Sequence, residues 1–215
     1  MTLPVDQERP NGPRSSKGVR TRAKLVRAAK EIFEEHGFIE ARISDIADRA
    51  ELSYGSFYHY FSSKEEIFHE VAATHERELG RAVTSETAAV QMGGDDTVVA
   101  RFTAANRRYL AGYRQEARLM RVIEQVTRYD TVLDAARRQR HDVFARALAQ
   151  AIDDLQRRGW VDPDIEPDLS SQALMAMVTR FAEAWFVDGR IDCSFEEGVD
   201  QLNRLCLNAL RLSAP

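Results

Sequence analysis

Apolar residues recur along this chain at helical rather than strand spacing. Leu25, Ala29, Ile32 and Phe33 form an i, i+4, i+7, i+8 stripe, which is one helix face turned toward a core and predicts a first helix over 18–36. Gly37 then supplies the left-handed residue that ends a helix, and Phe38 beside it can fold back on the last turn. Two short helices follow, over 43–49 and 54–60, joined by Ala50-Glu51-Leu52-Ser53. Ile46, Ala47, Ala50, Leu52, Phe57 and Phe61 fall on faces that can pack together, and Ser53 is placed to cap the second of the pair. Ser63-Lys64-Glu65-Glu66 has the form of a capping box and opens a fourth helix carrying Ile67, Phe68, Val71 and Leu79.

The pattern continues through helices near 96–114, 116–127, 130–158, 168–188 and 195–212, with breaks at Gly93-Gly94, Tyr129-Asp130 and Gly159-Trp160-Val161-Asp162-Pro163. Segment 168–188 holds Leu174, Met175, Met177, Val178, Phe181, Trp185, Phe186 and Val187, apolar on almost every side, so it is expected to be covered from more than one direction. The last helix carries Val199, Leu202, Leu205, Cys206, Ala209 and Leu210 on a broad stripe, and these two helices together are candidates for one side of a dimer interface. Prolines stand at 4, 10, 13, 163, 167 and 215, leaving residues 14–162 free of them, and no β-branched alternation interrupts the helical pattern. The predicted fold class is all-α, with about nine helices.

Composition changes this picture in two ways. With 44% hydrophobic residues in 215, the chain can bury a sizeable core, which excludes wholesale disorder. The net charge of −4 conceals an asymmetry: Arg9, Arg14, Lys17, Arg20, Arg22, Lys24, Arg27 and Lys30 give residues 1–30 a local charge of +6, leaving −10 on the rest. A basic end on an acidic body suits a DNA-reading head on a domain that does something else. Residues 1–16, rich in Pro, Gly, Ser and charge, read as a disordered arm. No apolar run is long enough for a membrane span or secretory signal, so a cytoplasmic protein is expected. Cys193 and Cys206 have no Cys or His neighbours at ligand spacing, so zinc is not expected and both read as small core residues.

The segment Ile43-Ser44-Asp45-Ile46-Ala47-Asp48-Arg49-Ala50-Glu51-Leu52-Ser53-Tyr54-Gly55-Ser56-Phe57-Tyr58-His59-Tyr60-Phe61-Ser62-Ser63-Lys64 closely resembles the DNA-binding signature of the TetR family, roughly I-A-x-x-A-G-V-S-x-G-x-[LF]-Y-x-[HY]-F-x-x-K. The resemblance covers residues 18–70. It implies a helix-turn-helix domain over 17–65 and a larger helical ligand-binding and dimerisation domain over 66–215. By that resemblance the second short helix enters the major groove. Tyr54, Gly55, Ser56 and Tyr58 would face base edges or nearby phosphates, with Ser53 at the helix start and Ser44 on the preceding helix. His59 and Tyr60 would lie along the phosphates, and Lys64 would hold one by charge and dipole. The basic residues Arg14, Lys17 and Arg20 would reach further phosphates or the minor groove. Two positions depart from the pattern: Arg42 replaces the usual capping threonine, which leaves the cap open and would make Arg42 a phosphate contact instead, and Glu51 replaces a turn glycine, which demands a strained backbone or a shifted turn.

The resemblance also implies an effector cavity in the C-terminal bundle. Phe102, Asn106, Tyr109 and Tyr113 repeat at i, i+4, i+7, i+11, with Met120, Phe144, Phe181 and Trp185 as candidates to face them; Asn106 and Glu124 would orient a mainly apolar guest. The same stripe also reads as plain core. The partners expected are double-stranded operator DNA, a second copy of the chain through its last two helices, and a small effector; no membrane, cofactor or metal is expected. The fourth helix would transmit between effector and DNA. A helical enzyme is the contrasting reading, but no Gly-rich phosphate loop, nucleophile beside a histidine, or Glu-x-x-His pair supports it, and Asp162, Asp164, Glu166 and Asp168 lack the glycine and terminal glutamate of a calcium loop. A third reading is a DNA-binding protein that answers to a protein partner.

Overall fold

The computed structural model describes residues 16–90 and 95–212, with side chains described outside 80–97. Arg9 and Arg14 of the expected arm lie outside these residues. All regular structure among the described residues is helical: α1 (Ser16–Glu40), α2 (Ile43–Arg49), α3 (Tyr54–Phe57), α4 (Lys64–Val90), α5 (Asp95–Gln115), α6 (Ala117–Thr127), α7 (Thr131–Arg157), α8 (Pro167–Ala182), which continues as a π-helical turn Glu183–Val187, and α9 (Phe195–Ala209). No helix among the described residues is long and apolar enough to cross a membrane. The chain forms two compact units that divide between Ala73 and Thr74, within α4.

The first unit closes around Leu25, Ile32, Phe33, Ile46, Phe57, Phe61, Ile67 and Phe68, each almost fully buried. The expected break at Gly37 is present, with φ +73°; helical structure resumes briefly after it rather than stopping. Phe38 folds back as expected, stacking on Phe33 at 5.8 Å and meeting Phe68 edge-on at 4.9 Å. Lys17 and Arg20, read from sequence with the arm, stand in the first turns of α1.

The second unit packs α5 to α9 around Leu110, Tyr113, Leu119, Ile123, Ile152, Leu174 and Leu202. Asp130 caps α7 by accepting from the Val132 and Leu133 amides at 3.0 and 2.9 Å. Ser194 and Glu197 form a reciprocal capping box on α9. Where α8 slips into its π turn, Trp185 stacks on Phe186 at 4.4 Å and its ring lies over Gly198, where a Cβ would come within 2.1 Å. Segment 168–188 is covered by α7 and α5, from more than one direction as expected, and leaves Leu169 73% exposed, with Ala173 and Ala176 also exposed. One expectation needs correction, that both cysteines lie in the core. Cys206 is buried, but Cys193 is only half-buried. The acidic run at 162–168 forms a turn in which Asp162 accepts from the Asp164 amide and pairs with Arg211, while Glu166 caps α8.

Candidate functional site

The α2–turn–α3 segment is built to present one face of α3. α2 ends in a Schellman turn: the Leu52 amide donates to Ala47 O and the Glu51 amide to Asp48 O, both at 2.9 Å. That geometry places Glu51 at φ +52°, a strain of about 1–2 kcal/mol for a residue with a Cβ. Its side chain is tied to Lys24 by a 2.7 Å ion pair. The strained backbone therefore stands where the sequence offered a shifted turn as the other choice. Ser53 Oγ then accepts from the Ser56 amide at 3.2 Å and starts α3. α3 proper is one turn, shorter than expected, and continues as tight turns through His59 and Tyr60.

Phe57 and Phe61 anchor this turn at 0% and 1% exposure, which leaves Tyr54 (55%) and Tyr58 (47%) on the outside. The two tyrosines are one helical turn apart with rings at 5.3 Å and hydroxyls hydrogen-bonded at 2.9 Å. The Tyr54 hydroxyl holds the Tyr58 phenol above its ordinary range, and the two hydroxyls offer donors and acceptors outward. A Cβ on Gly55 would meet nothing within 4 Å, so no neighbour inside the protein explains a glycine there. Beside this face is a surface depression of about 270 Å³ lined by Ala41, Arg42, Ile43, Ser44, Tyr54 and Lys64. Arg42 is exposed and does not cap α2 through its side chain. Ser44 Oγ donates to Asp45 at 3.1 Å. Lys64 is engaged inside the protein: Nζ donates to Ile39 O at 3.0 Å and Ala41 O at 2.9 Å, over the Phe38 ring. The capping box at α4 is displaced by one residue, Ser63 accepting from the Glu66 amide while Glu66 accepts from the Ser62 amide.

The second unit contains a cavity of about 210 Å³ between α4, α5, α7 and α8. Its wall is mostly apolar, from Phe102, Phe144, Leu148, Ile152, Met175 and Val178 among others. The polar lining is Glu76, Arg101, Asn106, Tyr109, Arg137, Arg140, His141 and Thr179. Arg137 Nε meets Glu76 at 3.1 Å, its Nη2 meets Glu124 at 2.7 Å and its Nη1 donates to Thr127 at 3.0 Å. Arg140 pairs with the other oxygen of Glu76. Asn106 donates to buried Asn203 at 2.9 Å, and burial pushes the Tyr109 phenol up.

Residues 25–71 match the family model described as bacterial regulatory proteins of the tetR family, a span that contains α2, the turn and α3 whole. That span carries the TetR-family signature. Over a longer stretch, the chain is 24% identical over 174 residues to YdgC, an uncharacterized helix-turn-helix transcriptional regulator of Bacillus subtilis, covering 81% of this chain and 85% of that one. It is 27% identical over 181 residues to UidR, a helix-turn-helix transcriptional regulator of Escherichia coli K12, covering 83% and 89%. A solved structure assigned to the family from Mesorhizobium loti MAFF303099 superposes with a TM-score of 0.77 at 20% identity, covering 92% of this chain and 98% of that one. The described residues are thus all-helical, as in that structure, residues 25–71 match a family of bacterial regulatory proteins, and the relatives that resemble the chain over most of its length are transcriptional regulators.

The structure brings together Ser53, Tyr54, Gly55, Ser56, Tyr58, His59 and Tyr60 on or beside one face, with Arg42 and Ser44 next to it. In the second unit, Phe102, Asn106, Tyr109, Met120 and Phe144 line the cavity. Tyr113, Glu124, Phe181 and Trp185 do not. Tyr113 is wholly buried against Phe186, Glu124 serves Arg137, and Phe181 and Trp185 belong to the aromatic cluster at the π turn. The sequence reading did not select the arginines and Glu76. Their only signal was ionic residues on otherwise apolar helix faces, a signal that solvated arginines share.

Proposed function

We propose that this regulator binds a palindromic operator as a homodimer, most simply as a repressor, and leaves it when a small effector fills the cavity of the second unit. The observation carrying the reading is the α3 face, with Tyr54 and Tyr58 outward over the buried Phe57 and Phe61. A one-turn helix with a capped start and exposed hydrogen-bonding aromatics suits insertion into a major groove, and Gly55 leaves room for phosphate or base to approach its backbone. Arg42 and Ser44 take backbone phosphates, while Ser56, His59 and Tyr60 flank the groove. A dimer is supported by the apolar surface left exposed on α8 and on α9, where Leu169 and Leu205 are 73% and 55% exposed. Self-association by a two-fold axis would cover it twice. Effector binding then favours an arrangement of the two reading heads that no longer matches successive half-sites, and a coupling of about 1–3 kcal/mol is sufficient for a switch.

The test is retention of fragmented genomic DNA by the purified protein at about 150 mM salt, where phosphate contacts alone have weakened. Enrichment of a short near-palindrome, lost in Tyr58→Ala with Arg42→Ala, is the expected result. Sequence-independent retention, or undiminished binding by the double variant, would remove α3 as the reading element.

A further inference from the structure

We infer that the cavity of the second unit selects an amphiphile with a single anionic head, such as a carboxylate, on a compact apolar body. This rests on the ligand-responsive reading above and names the chemistry of its effector. Three guanidiniums contribute to the cavity lining, those of Arg101, Arg137 and Arg140, as does His141. Among the described residues only two carboxylates answer them. Arg137 is fully committed to Glu76, Glu124 and Thr127, and Arg140 shares Glu76. Arg101 Nη1 and Arg140 Nε remain buried with no hydrogen-bond partner, and no ion pair to Arg101 occurs among the described residues. One positive charge is therefore left over in a wall otherwise supplied by side chains such as Phe102, Phe144, Leu148, Ile152, Met175 and Val178.

Buried donors and charges persist only when something pairs with them, and a guanidinium pairs best with a planar anion that takes two N–H groups at once. Burial lowers the Arg140 pKa, as expected of a cation with incomplete compensation. A cationic guest would face Arg101 with like charge. A neutral guest would fill the apolar wall but leave the same N–H groups unpaired, and a second negative charge would exceed the single surplus cation. The 210 Å³ volume is below the range of about 300–1,000 Å³ that houses drug-sized ligands, which favours a small guest.

The full-length protein is titrated calorimetrically with decanoate, decan-1-ol and decyltrimethylammonium, which share a chain and differ in charge. Decanoate is expected to bind about tenfold or more tightly than decanol, the cation not at all, and Arg101→Gln to abolish the preference. Arg101→Lys, which keeps the charge, should retain most of it, and both variants should still bind operator, which shows that they fold. Equal binding of decanol and decanoate, a preference that survives Arg101→Gln, or no binding of decanoate would overturn the inference. Operator occupancy is followed in parallel. Arg101-dependent decanoate binding that leaves occupancy unchanged supports the anion site while removing the ligand-responsive reading. Release of operator by decanol and decanoate alike leaves that reading standing while overturning this inference.

Discussion

At Gly198 the space for a side chain is already filled, because the Trp185 ring lies 2.1 Å from where a Cβ would be. Gly198→Ala must push a stacked indole out of its cluster with Phe186 and Phe195, and should cost about 1–3 kcal/mol, read as a lower urea midpoint at unchanged slope. The two cysteines differ in the same concrete way. Desolvation pushes the Cys206 thiol up to about 11, while Cys193 is half-buried in the turn before α9. Iodoacetamide at about pH 8 should alkylate Cys193 in the native protein and reach Cys206 only on unfolding, because the thiolate is the nucleophile; peptide mass spectrometry distinguishes the two sites. Both roles were invisible in the sequence, where a glycine inside an amphipathic stripe and two unremarkable cysteines carry no sign of what sits opposite them.

Among the elements, α4 and α9 begin on caps that make different predictions. Lys64, the first residue of α4, ties its ammonium to the carbonyls of Ile39 and Ala41. Lys64→Met should therefore lower the stability of the free protein by about 1–2 kcal/mol, since two partly exposed charge-assisted hydrogen bonds are lost. Its operator binding should keep its salt slope, whereas Arg42→Ala should reduce that slope by about one. An equal fall in slope for Lys64→Met would return Lys64 to the phosphate role that the resemblance implied. At α9 the Ser194 hydroxyl and amide hold the Glu197 carboxyl below its ordinary value. Its folded pKa is depressed, so the stabilisation is present above the ordinary carboxylate pKa of about 4.3 and lost as pH falls toward the folded value. Thermal unfolding from pH 7 down to pH 3 should show wild type losing its advantage over Glu197→Gln as acid is added. The capping box of α9 was not anticipated, although Ser194 and Glu197 have the required spacing. That of α4 was anticipated, but Glu66 accepts from the amide of Ser62, one residue before the expected partner.

For the whole molecule, the proposal depends on surfaces that one chain leaves open. Leu169→Glu combined with Leu205→Glu puts charges on exposed apolar positions of α8 and α9 and should convert a dimer to monomer in sedimentation velocity, weakening operator binding without unfolding the chain. If the double variant sediments as wild type, the dimer uses another face. The two units also differ in how legible they were. The first is specified by short-range features, namely a stripe of four apolar residues, a glycine at a helix end, a serine cap and two phenylalanines four apart, so its elements were predicted closely and its signature identified the family.

Sequence by itself determined that the chain is all-α, where most helices begin and end, and which side chains of the α2–α3 segment face inward. Each of these follows from the helical period and local capping, which act over a few residues. Only tertiary structure decided which polar groups meet across helices. Glu76, Arg101, Glu124, Arg137 and Arg140 come from four helices, and nothing local to any of them says that Arg137 and Arg140 would take both carboxylates while Arg101 was left without one at the cavity wall. Likewise, nothing local shows that Trp185 would turn onto Gly198 while Tyr113 was drawn away from the cavity into the core. Such pairings depend on helix register and crossing, which are set by the packing of the whole unit.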